Sequence, residues 1–192
     1  FEQDDKYRKE VVDLIWFPTG GGKTEAYLAL TALTIVHRRR RGMNEGVSVI
    51  MRYTLRMLAS QQFERASYLI CALEMLRTQL NELKLGTDRI SIGLYVGGGV
   101  TPNRVNELVD NQYPYRIFFS RQNQRYGQNY LRDKNPFPIV YCPWCGCTMV
   151  GSDNSHGYGD NGSLRCLNNN CHYHDNDLPI YYIDENIYNR KP

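Results

Sequence analysis

The first hundred residues alternate between short β-branched apolar runs and longer stretches in which apolar residues recur at helical spacing. The runs Val11–Phe17, Gly46–Arg52 and Ile90–Val96 have the composition of buried strands. Helical spacing covers Lys23–Arg40 and a second stretch from about Tyr53 to Leu85. Strands that alternate with helices of this length predict an α/β fold with a parallel sheet flanked by helices.

The pattern changes after residue 100. Residues 101–138 are rich in Pro, Asn, Gln, Arg and Tyr, with a short helix expected at Asn103–Asp110. Their mixed aromatic and arginine residues could stack on a single nucleic-acid strand, but an irregular connector is the favoured interpretation. We therefore divide the chain into a partial α/β domain (1–110), a connector (111–138), a cysteine-rich module (139–178) and a return strand with the end of the chain (179–192).

Length and charge narrow the class of protein. With 192 residues and a net charge of +3, the chain can form one core and a small module, and its charge alone does not indicate a nucleic-acid partner. No apolar run approaches the roughly 20 residues that span a bilayer, and the N-terminus lacks a signal peptide's apolar region. We expect a cytoplasmic location and no membrane partner. The missing initiator Met indicates a fragment.

The turn between the first strand and the first helix has the sequence of a nucleotide-phosphate cradle. It matches Gly-x-x-x-x-Gly-Lys-Ser/Thr except that Phe17 stands at the first Gly. Lys23 would contact the β- and γ-phosphates of ATP, and the Thr24 hydroxyl would coordinate Mg²⁺. An ordinary glycine-rich turn is the alternative, but the strand–turn–helix context favours phosphate binding. The expected nucleotide-binding residues are Pro18, Thr19, Gly20, Gly21, Gly22, Lys23 and Thr24, with Lys23 and Thr24 as the catalytic pair.

Two cysteine pairs in the second half have the spacing of a zinc site. Cys142 and Cys145 form a Cys-x-x-Cys turn followed by Gly, and Cys166 and Cys171 follow after 20 intervening residues. In a reducing compartment paired cysteines hold metal more often than they form disulfides. We expect these four thiolates to enclose a structural Zn²⁺ in a closed tetrahedral shell, free thiols or a redox pair being the alternative. Residues that could replace one ligand are Cys147, His172 and His174.

Two charged stretches admit more than one interpretation. Arg38–Arg41 could contact nucleic acid, but cations favour a helix C-terminus, and Gly42 has the position of a C′ residue. We therefore interpret the arginines as a solvated helix end. Asp184 and Glu185 follow an apolar run and resemble a Mg²⁺-polarising acidic pair, although two adjacent tyrosines are bulky for a central strand. A surface strand returning from an insertion is the favoured interpretation.

These motifs resemble the first motor domain of superfamily-two helicases. That family's first motif, Pro/x-Thr-Gly-x-Gly-Lys-Thr, is reproduced by Pro18–Thr24. Its motif Pro-Thr-Arg-x-Leu-x-x-Gln is similar to Thr54–Gln61, with one extra residue after Thr54 and Tyr53 in place of Pro. Its Gly-Gly pair corresponds to Gly97-Gly98. The sequence around the first motif further resembles helicase subunits of the DISARM anti-phage defence system.

The resemblance implies a RecA-like P-loop sheet, with the zinc ribbon as a small insertion, and ATP with Mg²⁺ as cofactors. It also implies that Thr54, Arg56, Gly97 and Gly98 contact backbone phosphates of one nucleic-acid strand, DNA rather than RNA; turn and cap roles are the alternative for these four. The expected partners are nucleic acid, the remainder of the helicase with its second motor domain, and a DISARM partner subunit.

The sequence thus predicts an ATPase and helicase motor-domain fragment that is inactive by itself. The alternative is a zinc-stabilised nucleic-acid-binding or docking module in which the phosphate loop is idle.

Overall fold

The computed structural model describes residues 22–53, 56–96, 101–106, 139–150, 156–159 and 161–188. Within these ranges the elements are, in order, α1 (Lys23–Arg40), α2 (Arg56–Gln79), a 3₁₀ turn (Asn81–Leu83), β1 (Ile92–Gly93), β2 (Ile180–Tyr181) and α3 (Asp184–Tyr188). β1 and β2 pair in parallel, Ile92 opposite Ile180 and Gly93 opposite Tyr181. The described part of the chain is therefore α/β with a small parallel sheet, and a complete RecA-like sheet is not among its residues.

Helix α1 has the bounds that the sequence predicted. It ends in a hydrogen-bonded motif in which the N–H of Gly42 donates to the Arg39 carbonyl at 2.9 Å and that of Met43 to the Arg38 carbonyl at 3.0 Å. Gly42 has a φ of +77°, which a residue with a Cβ adopts at a cost. The predicted C′ role of Gly42 is confirmed.

Arg39 is not part of a solvated helix end. Its guanidinium is buried and donates to the carbonyl oxygens of Asp88 at 2.6 Å and Arg89 at 3.3 Å. The interpretation of Arg38–Arg41 as solvated was wrong for this residue, because sequence cannot show that the chain returns to the end of α1 fifty residues later. The hydrogen bonds of Arg39 connect the loop before β1 to the end of α1.

The predicted strand Gly46–Arg52 does not form a ladder among the described residues. Val47 is 72% exposed and Ile50 is 83% exposed, where a central strand would bury both. Apolar β-branched residues form a strand only where a neighbouring strand supplies hydrogen bonds. The first predicted strand, Val11–Phe17, and the connector 111–138 lie outside the described residues.

Helix α2 is packed on two sides. Ile70 and Leu73 bury against Ile35 of α1 and Ile90, while Phe63, Cys71 and Met75 belong to the core that includes the cysteine-rich module. The helix ends at Gln79 rather than near Leu85, because a 3₁₀ turn and the left-handed Lys84 (φ +52°) follow it. The apolar stripe was thus predicted correctly and the helix end was not.

The cysteine-rich module is built on antiparallel bridges. Gly157 lies at their centre: its N–H donates to the Met149 carbonyl at 2.9 Å, and its carbonyl accepts from the N–H of Arg165 at 2.7 Å. A Cβ on Gly157 would collide with the Arg165 carbonyl oxygen, so the strands approach closely only around glycine. The bridged pairs are Tyr141 with Thr148, Val150 with His156, and Tyr158 with Leu164.

Strand β2 is buried, which corrects the expectation of a surface strand. Ile180, Tyr182 and Ile183 are almost fully enclosed, and the N–H groups of Ile92 and Leu94 donate to the Pro179 and Tyr181 carbonyls at 3.0 and 2.8 Å. The bulk of Tyr182 is accommodated by an edge-to-face contact with the Tyr158 ring of the module, 5.6 Å between centroids. The chain therefore returns from the module into the core of the α/β part.

Candidate functional site

The N-terminus of α1 carries the described half of the predicted phosphate-binding turn. Gly22 is the N-cap, with a φ of +75°, and its carbonyl accepts the first helical hydrogen bond from the N–H of Ala26 at 3.1 Å. Lys23 and Thr24 are then the first two helical residues, half-buried, at the end where backbone N–H groups lack helical partners. Pro18, Thr19, Gly20 and Gly21 lie outside the described residues.

A carboxylate lies one residue further along this helix end. Glu25 accepts a hydrogen bond from its own backbone N–H and forms an ion pair with Arg65 of α2, and these contacts hold the pKa of Glu25 below its ordinary value. Both side chains are largely exposed, so water screens the pair. The pair places the start of α1 beside α2.

The predicted nucleic-acid residues fall largely outside the described ranges. Thr54, Gly97 and Gly98 are not described, and Arg56 is the first residue of α2. Their contacts with nucleic acid stay a prediction.

The four cysteines that the sequence singled out are brought together. The sulfur atoms of Cys142, Cys145, Cys166 and Cys171 all lie within 4.8 Å of one another. The Sγ atoms of Cys142 and Cys171 are 3.9 Å apart, and those of Cys145 and Cys166 are 3.4 Å apart. Four thiolates around one Zn²⁺ with Zn–S bonds of about 2.3 Å would be about 3.8 Å apart. The donor set and its spacing therefore fit a tetrahedral zinc ion.

The Cys-Pro-Trp-Cys-Gly-Cys sequence folds into one tight turn. The N–H of Cys142 donates to the Cys147 carbonyl at 2.7 Å, and the N–H of Gly146 returns to the Cys142 carbonyl at 2.9 Å. Gly146 has a φ of +75°, which explains why glycine follows the second cysteine. The turn places both sulfur atoms of its pair on one side.

The second pair sits in a loop that is closed by its own hydrogen bonds. The N–H of Cys171 donates to the Asn168 carbonyl at 2.9 Å, and the N–H of Cys166 donates to the Tyr173 carbonyl at 2.7 Å. The N–H of Asn168 also points at the Cys166 sulfur, 3.4 Å away. Sequence reasoning did not single out Asn168, although a residue two positions after a metal-binding cysteine is placed for this contact.

The expected spare ligands do not join the cluster. Cys147 Sγ accepts a contact from the Asn168 side-chain nitrogen at 3.4 Å. His174 directs its Nδ1 to the Cys166 carbonyl at 2.9 Å, and the His172 ring packs on the edge of Tyr173. The geometric grouping of four thiols contains none of these three residues.

The pKa values of Cys145, Cys166 and Cys171 are shifted in different directions. Burial raises the pKa of Cys166, and it raises the pKa of Cys171 to about 11. Partial burial acts in the same direction on Cys145, but hydrogen bonds from the Cys147 N–H and from neighbouring thiols outweigh it and lower the pKa of Cys145 to about 6. Cys145 at the exposed edge of the cluster is therefore more acidic than Cys166 and Cys171, and these two thiols must lose protons when a cation binds.

The acidic pair Asp184 and Glu185, at the start of α3, contacts residues 101–106, which follow the Gly97-Gly98 pair in the sequence. The N–H of Glu185 donates to the Asn103 carbonyl at 2.9 Å, and its carboxylate accepts from the N–H of Val105 at 2.9 Å. These contacts give Glu185 a structural role in holding residues 101–106. The Mg²⁺-polarising interpretation of Asp184 and Glu185 stays a hypothesis.

Fold and site together define an α/β protein with a four-cysteine cluster that could hold a metal ion. No family model matches the chain. Over an alignment 196 positions long, gaps included, the chain is 33% identical to the DISARM protein DrmA of Bacillus paralicheniformis. The aligned region is 96% of this chain and 17% of that protein, so the chain spans about a sixth of its relative's length. The resemblance that the motifs indicated is confirmed.

Among the described residues, no helix is both long and apolar enough to cross a membrane.

Proposed function

We propose that this chain is part of the first motor domain of an ATP-dependent nucleic-acid helicase in an anti-phage defence system similar to DISARM. The observation that carries the proposal is the start of α1: the helix begins at Lys23, directly after the left-handed Gly22. Backbone N–H groups, the helix dipole and a lysine then converge on the end of the glycine-rich turn, the arrangement that binds phosphate. Similarity to DrmA over nearly the whole chain supports the same assignment.

In this function the residues of the turn bind and orient the triphosphate. The backbone N–H groups of Gly22 to Thr24 would donate to phosphate oxygens, and the Lys23 ammonium would neutralise charge that develops on the γ-phosphate during hydrolysis. Thr24 would supply a hydroxyl ligand to Mg²⁺, whose role is to bridge and neutralise the β- and γ-phosphates. Thr54, Arg56, Gly97 and Gly98 would hold the backbone of one DNA strand without reading its sequence.

The metal in this proposal is structural. Cys142, Cys145, Cys166 and Cys171 would fill all four positions around Zn²⁺ and leave none for water or substrate. The zinc ribbon would thus be an insertion in a RecA-like domain, between the segment after β1 and strand β2. We also propose that the full-length protein contains a second motor domain, interacts with a DISARM partner subunit and is located in the cytoplasm.

Nucleotide titration of the zinc-loaded chain tests the assignment. ATP with Mg²⁺ should bind in calorimetry with an affinity that falls at least about tenfold in Lys23→Ala, since a charge-assisted contact between the half-buried Lys23 and phosphate is lost. Arg40→Ala is the matched control, because it removes an exposed cation from the opposite end of the same helix. Equal affinity of the native chain and Lys23→Ala would contradict the proposal.

A zinc-stabilised nucleic-acid-binding module with an idle phosphate loop is the second candidate. The Glu25 carboxylate favours it, because it already places an anion at the helix end where phosphate would bind. A labelled single-stranded DNA oligonucleotide separates the two: the module should bind it equally with and without ATP, and ATP itself should show no affinity. A nucleotide-dependent change in oligonucleotide affinity would support the motor.

A further inference from the structure

The cysteine cluster and helix α2 share one hydrophobic core. Cys142, Cys166 and Cys171 are buried in the same cluster of side chains as Phe63 and Met75 of α2. Apart from the exposed Cys145, the four grouped cysteines therefore belong to a core that the cysteine-rich module shares with the α/β part. A domain with its own core would place few such contacts across its boundary.

Tyr173 connects the cysteine-rich module to helix α2 through a buried hydrogen bond. Its hydroxyl donates to the backbone carbonyl of Cys71, in the middle of α2, at 3.2 Å. Its own carbonyl accepts from the N–H of Cys166, and its ring meets the edge of Trp144 between the first two cysteines, 6.2 Å between centroids. Tyr173 thus contacts the segments of both cysteine pairs, through Trp144 and Cys166, and its hydroxyl contacts α2.

The Tyr173 hydroxyl also meets the Cys71 thiol, and their hydrogen bond acts to lower the pKa of Cys71. This thiol is completely buried, however, and burial together with the nearby Cys142 raises its pKa to about 12. A neutral thiol at this position packs as a small apolar group. The polar connection between α2 and the cluster therefore runs from the Tyr173 hydroxyl to Cys71, to its carbonyl at 3.2 Å and to its thiol.

We propose that Tyr173 is a positioning residue that couples metal occupancy of the four-cysteine cluster to the stability of α2. This inference rests on the proposed zinc site. A bound ion fixes the loop around Cys166 and Cys171, this loop fixes the Tyr173 hydroxyl, and the hydroxyl holds the α2 backbone. Since α2 begins at Arg56, one of the residues proposed to contact nucleic acid, the bound metal would affect the helix that carries this contact.

Hydrogen exchange of backbone amides tests the coupling in the full chain, read by mass spectrometry with one bound zinc and after removal of zinc by a chelator. Loss of zinc should speed exchange at least about tenfold in residues 63–75 of α2 as well as in 139–178. Exchange that changes in 139–178 while 63–75 stays unaltered would overturn the inference alone. A chain that binds no zinc would contradict the metal site itself.

The role of Tyr173 is tested with Tyr173→Phe, which removes only the hydroxyl. Zinc stoichiometry should stay at one per chain, while the zinc-loaded variant should exchange about threefold to tenfold faster in 63–75 than the native chain, as expected for the lost hydrogen bonding to Cys71. After chelation the two proteins should exchange alike. Tyr141→Phe is the matched control, because Tyr141 belongs to the same cysteine-rich module and is about half exposed, and it should leave exchange unchanged.

A second variant decides the matter if Tyr173→Phe does not retain zinc. Cys145→Ser removes an exposed ligand outside the shared core. Under the inference it should reproduce in α2 the rapid exchange of the chelated native chain. Native-like α2 exchange in a zinc-free Cys145→Ser would overturn the coupling.

Discussion

The carboxylate of Glu74, in the middle of α2, accepts a hydrogen bond from the backbone N–H of Ile90 at 2.9 Å. The same carboxylate accepts two further hydrogen bonds from Arg77, at 2.8 Å from Nε and 2.7 Å from Nη2, and these raise the pKa of the guanidinium. The Nε atom of Arg89 lies 4.0 Å from Oε1 of Glu74. Glu74 thus connects the segment before β1 to helix α2, which begins within the predicted nucleic-acid motif.

Removing the Glu74 carboxylate should destabilise the fold strongly. Glu74→Ala leaves the buried Ile90 N–H and the Nε and Nη2 donors of Arg77 without their acceptor, which should lower the free energy of unfolding by about 3 kcal/mol. Glu74→Gln keeps an oxygen for Ile90 and should cost about half as much. Urea denaturation of the zinc-loaded chain measures both. The exposed Glu82→Ala is the control, and a Glu74→Ala cost no larger than that of Glu82→Ala would contradict this role.

Substitution by lysine should change the free energy of unfolding differently at two adjacent arginines at the end of α1. Arg39→Lys cannot reproduce the forked donation to the Asp88 and Arg89 carbonyls and should lower the free energy of unfolding by about 1–2 kcal/mol. Arg40→Lys changes an exposed side chain and should stay within about 0.5 kcal/mol of the native chain. Thermal unfolding of the pair measures the difference. Equal losses would show that the buried donation of Arg39 carries no stability.

Two cysteines on the same turn should differ in metal binding. Cys145→Ser removes a member of the sulfur cluster and should abolish binding of one zinc per chain, because a three-thiolate site lacks the fourth ligand. Cys147→Ser removes a thiol that contacts Asn168 outside the cluster and should keep full zinc stoichiometry. Metal content by native mass spectrometry distinguishes them. Loss of zinc in Cys147→Ser would mean that Cys147 is itself a ligand.

Zinc affinity should rise with pH. The pKa of Cys171 is raised to about 11 and that of Cys166 is also raised, so both thiols carry protons near neutral pH and must release them to bind a cation. Each released proton gives about a tenfold gain in affinity per pH unit, so these two thiols predict about a hundredfold gain between about pH 6.5 and 7.5. Competition with a chelator of known pH dependence measures the gain. An affinity that falls or stays constant would contradict the protonation of the buried thiols.

The sequence predicted the parts of the molecule that local chemistry determines. The bounds of α1 follow from apolar spacing and from Gly42, and the four grouped thiols follow from Cys-x-x-Cys spacing with glycine after the turn. These features need no distant partner. The resemblance to the DISARM protein DrmA likewise followed from a short motif and its neighbours.

Other features depend on contacts between distant residues and were not predictable from local pattern. The apolar run Gly46–Arg52 suggests a strand, but a strand needs a neighbour, and none pairs with it within the described ranges. The burial of β2 depends on its pairing with β1, across a separation that includes the whole cysteine-rich module. Arg39 and Tyr173 carry no sequence signal for the carbonyl groups that they reach.

The structure of the zinc-loaded chain with a non-hydrolysable ATP analogue and Mg²⁺ tests the central claim most directly. The account predicts phosphate oxygens within hydrogen-bonding distance of the backbone N–H groups at Gly22 to Thr24, the Lys23 ammonium beside the β- and γ-phosphates, and Mg²⁺ at the Thr24 hydroxyl. A nucleotide bound elsewhere, or no nucleotide at a concentration that saturates other phosphate loops, would contradict it.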